Sequence, residues 1–337
     1  MKPRDKAAIA ARLAKLTLLD IPLAHFAVGL NHEVGHMSWA RQDGARLDFR
    51  LTGGPWSSNV FDLRCSQPDA ALTLDTYGGG FDAEFLLERR MWDRIEQEGR
   101  SSVSDGVFLL DGAIGRFYYI QQSLALVDGW AHHDLGYATG DPTRYVYRLV
   151  GERDHAVTPS AVLTTAESVK RRSWLNFADY GLWGQAVNLV RYVASGQEAF
   201  APRWLKVKGV GLSPFARYHL SPVGPQTVVG THYRAGHNVG DVSVHWTEPV
   251  NGARFVGASV AWAATGGTVV DPHVRTDIWR DATGKQGLSL ETGITATRWP
   301  SSRARLRLSI GAKTKGYAVG LPPQATVFGE AGMRVRF

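Results

Sequence analysis

Three residues near the start of the chain carry a chemistry that their spacing alone suggests: His32, Glu33 and His36, in the stretch Asn31-His32-Glu33-Val34-Gly35-His36-Met37. On a helix, residues four apart lie on one face, one turn above each other. Two imidazoles so placed can hold one Zn²⁺, with the intervening glutamate directed at a metal-bound water. Glu33 would take the water's proton as it attacks a carbonyl, while the metal polarises the carbonyl oxygen. The plainer alternative is a buried helix whose histidines hydrogen-bond within the core. The apolar run Ile21–Leu30 precedes the motif, with Asp20 as an N-cap and Pro22 in the first turn, which suits a helix crossing a domain interior.

In its H-E-x-G-H form the motif resembles that of the HExxH zinc metallopeptidases, in particular those whose third ligand is a glutamate. The resemblance implies zinc as cofactor, a peptide or protein substrate, and a third ligand from a later helix that follows a glycine-containing turn. Tyr77-Gly78-Gly79-Gly80-Phe81-Asp82-Ala83-Glu84 is similar to that element. Glu84 is then the expected third ligand and Asp82 the second candidate. Without a metal, both acids would simply complement the dipole of a helix N-terminus. The same resemblance makes Tyr145 a candidate partner for a reaction oxyanion, against the alternative of a packed helical aromatic. His132 and His133 are alternative ligands or donors. The spacer between His36 and Glu84 is long and reads as holding two short strands, Leu47–Leu51 and Ala70–Leu74.

The elements that must position these groups fall into two regions, an α+β arrangement. Residues 1–200 read as helices: an amphipathic one over 6–19, then Leu86–Gln97 continuing the Glu84 helix, Val107–Leu126, one starting at Asp141-Pro142, Ser160–Val169 and Trp174–Ala194. From Trp204 the period changes from 3.6 to 2. Residues 201–337 hold about eight or nine strands in regular succession, with Gly, Pro, Asn and Asp between them, the pattern of an antiparallel up-and-down barrel or sheet. Arg303, Arg305 and Arg307 share one face, and Ala304, Leu306, Leu308 and Ile310 the other; Asp241, Ser243 and His245 oppose Val242, Val244 and Trp246. Such alternation fits a barrel with a charged lumen and a lipid-facing exterior. It fits equally a soluble sheet whose apolar face lies on the helices and whose polar face meets water. The end of the chain, Met333-Arg334-Val335-Arg336-Phe337, resembles the last strand of bacterial outer-membrane proteins, which implies outer-membrane lipid as a partner and an outer-membrane or periplasmic location.

The formal charge of +7 is uneven: +10 from Arg203 onward and −3 before it. The basic residues alternate along strands and form no compact block, so nucleic acid is not expected as a partner. One cysteine, Cys65, excludes an internal disulfide or a cysteine metal site. No stretch of 18 uncharged apolar residues spans a bilayer as a helix. Two non-hydrolytic readings stand beside the zinc hydrolase: an outer-membrane barrel plugged or capped by its helical half, and a soluble binding protein with a structural metal.

Overall fold

A computed structural model of the 337-residue chain describes residues 5–42, 44–45, 47–51, 61–65, 72–125, 140–154, 156–248, 254–266, 270–281, 283–297, 304–321 and 324–335. The chain opens with α1 (Lys6–Lys15), capped by the Asp5 carboxylate on Ala7 N–H. A π turn over Leu16–Asp20 joins it to α2 (Ile21–Gln42), so Asp20 starts no helix, contrary to the expected cap; it pairs with Lys15 at 2.7 Å. The wider turn, closed by Ile21 N–H to Leu16 O, carries the helix into Pro22, which has no N–H to donate. Lys6–Gln42 thus forms one helical run of 37 residues that is long and apolar enough to cross a membrane. A search for charge-free stretches passes over it.

The hairpin β1 (Leu47–Leu51) and β2 (Phe61–Cys65) follows, with β1 where the sequence reading placed it. Of the second expected strand, 70–74, residues 70 and 71 lie outside the described residues, 72 and 73 form no strand, and Leu74 opens α3 (Leu74–Glu98). Thr73 caps α3 and Gly99, at φ 62°, ends it. Gly78, Gly79 and Gly80 make no turn; they lie inside the helix. Each glycine there costs about 1 kcal/mol in helix propensity against alanine. Close packing is the compensation: a Cβ on Gly79 would strike Trp39, one on Gly78 the backbone of Ser221, and the backbones of Gly35 and Gly79 touch where α2 crosses α3.

Helix α4 (Val103–Ser123) opens with a capping box between Ser102 and Asp105. It is followed by α5 (Asp141–Asp154), α6 (Pro159–Ser173), a 3₁₀ turn at Trp174–Phe177, and α7 (Tyr180–Ser195), which Asp179 caps and Gly196 ends at φ 77°. Ser101–Ser102 (β3) pairs briefly with Ala199–Phe200 (β4).

The rest is one antiparallel meander: β5 (Leu205–Val207), β6 (Val210–Ser221), β7 (Gly224–Ala235), β8 (Asn238–Thr247), β9 (Val256–Ala264), β10 (Val270–Arg280), β11 (Gln286–Thr297), β12 (Ala304–Lys313) and β13 (Thr326–Val335). Each strand pairs with its sequence neighbour, and β5 and β13 remain the two edges, so of the barrel or sheet expected, an open nine-stranded sheet is formed among the described residues. Ala178 and Asp179 pair with β6 beyond the end of β5 and cover part of that edge.

The molecule is layered, with α3 in the middle. One side of α3 packs along α2, and the other lies against β6, β7 and β8. The sheet turns its polar face towards α3. Arg275 bridges Asp93 at 2.8 Å and Asp241 at 2.7 Å; Arg217 reaches Asp179 at 2.6 Å and Glu88 at 3.0 Å; Arg90 meets Glu291 at 3.0 Å; His232 meets Glu96 at 2.5 Å. Unpaired, such charges would cost several kcal/mol each to bury, so complementary partners across the interface are required. The aliphatic face, with Val242, Val244, Leu290 and Ile310, points outward. This reverses the arrangement expected of a soluble sheet.

Candidate metal centre

His32 and His36 lie on the face of α2 that meets α3, and are 5% and 3% exposed. Gly35 between them admits the α3 backbone, and Gly80 supplies the space for the rings. A Cβ on Gly80 would fall 2.5 Å from His32 Nε2 and 2.6 Å from His36 Nε2. The motif and the glycine run are therefore one packing unit, in which small residues on both helices bring imidazoles against a bare stretch of backbone.

The two Nδ1 atoms are occupied. His32 Nδ1 is 2.7 Å from Glu84 Oε1, and His36 Nδ1 is 2.6 Å from the Thr76 carbonyl oxygen, to which it donates. With the ring protons held there, both Nε2 lone pairs are directed to the same point. The Nε2 atoms are 2.9 Å apart, and Asp141 Oδ2 lies 3.4 Å from the one and 3.2 Å from the other. Tyr119 donates its hydroxyl to Asp141 Oδ2 at 2.9 Å and accepts from the Asp141 N–H at 3.0 Å, fixing the carboxylate. Ligands about 2.0–2.1 Å from a tetrahedral zinc are separated from one another by roughly 3.3 Å. The three donor atoms, 2.9, 3.2 and 3.4 Å apart, lie near that separation, and two imidazoles and a carboxylate so placed could hold a metal ion. Burial by itself would raise the Asp141 carboxyl; the adjoining His36 and His32 hold it well below the usual carboxylate range.

Glu84 is therefore not in the position of a third ligand. Its Oε1 binds the far side of His32, and its Oε2 is buried without a hydrogen-bond partner. A group that could hold a metal ion does form at the motif, with Asp141 rather than Glu84 beside the two histidines. Asp82 is turned to the opposite side of α3, where Tyr317 OH and the Gly320 N–H (2.7 Å) donate to it. Tyr145 is fully buried in the hydrophobic core and donates to the Ser221 carbonyl oxygen at 2.7 Å, so it is the packed aromatic and no oxyanion partner. His132 and His133 lie outside the described residues. Comparison with family models, characterised proteins and solved structures finds no match.

Glu33, on the next position of α2, is half-buried beside this cluster. Asp141 was missed because its sequence context, Gly140-Asp141-Pro142, reads as a helix start; it does open α5, and it supplies a carboxylate from there. No local signal separates these two roles. Tyr119, inside α4, carries no local signal of its role either.

Proposed function

We propose that the chain is a zinc-dependent hydrolase, acting on a peptide or protein substrate. His32, His36 and Asp141 hold the metal, which when bound supplies a Lewis acid for a carbonyl oxygen and lowers the pKa of its water. Glu33 takes the proton of the attacking water and returns it to the leaving group. Glu84 and Thr76 fix the imidazole tautomers, and Tyr119 orients Asp141. The observation that carries this reading is the convergence of two Nε2 atoms and one carboxylate oxygen on a single point, with both Nδ1 atoms already engaged by Glu84 and Thr76.

The test is zinc content of the purified full chain beside Asp141→Asn, Glu84→Gln and Glu33→Gln, with hydrolysis of labelled casein as the second readout. About one zinc per chain, lost in Asp141→Asn, retained in Glu84→Gln at reduced affinity and retained in Glu33→Gln without hydrolysis, is the expected pattern. A wild type that takes up no zinc sinks the proposal. Zinc held with hydrolysis unchanged by Glu33→Gln leaves a structural metal instead.

A further inference from the structure

The sheet is built with its polarity reversed relative to a water-exposed one. Among positions of β8 to β13 that point away from α3, Arg280, at the end of β10, is the one charged residue. Between the strand ends stand Val242, Val260, Ile278, Leu290, Leu308 and Ile310, each at least two-fifths exposed, reaching 61% at Ile310. They adjoin through the register: Val242 pairs with Val260, Ile278 with Leu288, and Ile294 with Leu308. Single exposed aliphatics on a protein surface need no explanation, but a continuous charge-free field does.

The opposite layer also exposes apolar side chains. Leu23, Leu30 and Val34 stand exposed on the face of α2 away from α3, and Trp183, Val187 and Val190 do so on α7. A protein partner or a second copy seated on the sheet would leave the α2 face bare. Hydrocarbon meets both outer layers at once.

We propose that the occupant of these two faces is the acyl-chain region of a lipid bilayer, with the charged core between α3 and the sheet sealed inside. Strands of 9 to 12 residues match the length needed by tilted spanning strands, about 9–11 residues. Trp246 and Trp262 stand near opposite ends of the antiparallel pair β8 and β9, where amphipathic rings sit at the two headgroup levels. Inside, the opposed charges of α3 and the sheet neutralise one another, so the polar face needs no bulk water. The free outer edge of β13 is excluded from this surface, because hydrocarbon would leave its N–H and C=O groups unpaired. None of the residues of the metal centre enters the argument, and the two proposals fail separately.

The test uses the full chain in phosphatidylcholine vesicles. With Cys65→Ser as background, a spin label is placed through Val260→Cys, Leu290→Cys and Leu23→Cys on the outward faces, and through Ser289→Cys on the inward one. Collision with dissolved oxygen is compared with collision with a water-soluble nickel chelate. Oxygen is expected to exceed the chelate at all three outward sites, and both to be low at Ser289. Chelate collisions dominating at the outward sites, both reagents excluded there, or failure of the unlabelled chain to enter vesicles would each overturn the proposal. The first result would mean water on these faces, and the second another protein chain.

Discussion

Two buried polar regions flank α3, and they are built on opposite rules. On the sheet side, Arg275 lies between Asp93 and Asp241, and Arg217 between Glu88 and Asp179, so cation meets anion and the region closes on itself. On the α2 side, His32, His36 and Asp141 turn two Nε2 atoms and one carboxylate oxygen towards one another. Opposed charges explain their own burial. Converging lone pairs need something from outside, and that need separates a structural network from a candidate site. Both regions depend on α3, whose glycines admit the histidines on one side while its acidic and basic residues meet the sheet on the other.

The sharpest way to break this comparison is to remove a donor at the converging centre. His32→Ala, His36→Ala and Asp141→Asn should each abolish stoichiometric zinc, read by metal analysis, while the far-UV spectrum stays that of a folded α+β chain. Acid should act on the same centre. Ligand nitrogens must be unprotonated to bind metal, and although burial lowers both imidazoles, Glu84 and Asp141 raise His32 well above, and Asp141 raises His36 above, the ordinary histidine value, so zinc is expected to leave as the pH falls, beginning above 6.5. Asp141 is held below the usual carboxylate range and stays anionic across that window, so the loss follows the histidines. An equilibrium dialysis series across pH 5 to 8 reads it.

On the sheet side the equivalent cut leaves charges unpaired. Arg275→Ala strands Asp93 and Asp241 against each other, and a cost of about 3–5 kcal/mol is expected from urea denaturation, with zinc content unchanged. Glu84→Gln sharpens the distinction between ligand and supporting residue. As the partner of His32 Nδ1 it should cost roughly 10–100-fold in zinc affinity without abolishing binding, measured by competition with a chelator. The smallest effect is expected at Tyr145→Phe, which removes one buried hydrogen bond to Ser221 for about 1 kcal/mol and leaves the metal centre untouched.

Most of the strand and helix plan was legible in the chain. The succession of strands after Trp204, the helix ending near Ala194 and the strand Leu47–Leu51 follow from periodicity and turn residues, because those signals are local. The failures all have one cause. Gly78–Gly80 reads as a turn in isolation, since glycine's freedom is the local fact; that a second helix and two imidazole rings lie against it is not local. Glu84 and Tyr145 were assigned by analogy with chains in which other packing brings those residue types to the metal. Asp141 looked like an ordinary helix start, and the alternation along the strands left open which face of the sheet is enclosed.

The sequence by itself determined that His32 and His36 share a helix face with Glu33 between them, and that the second half of the chain alternates polar and apolar residues in antiparallel strands. Both are consequences of backbone periods of 3.6 and 2. Only the tertiary structure decided which carboxylate joins the histidines, 105 positions after His36 at Asp141, and which face of the sheet turns inward. Periodicity states that two faces differ, whereas burial is settled by what packs against each. Here α3 brings charges complementary to the polar face, and that face is the one enclosed.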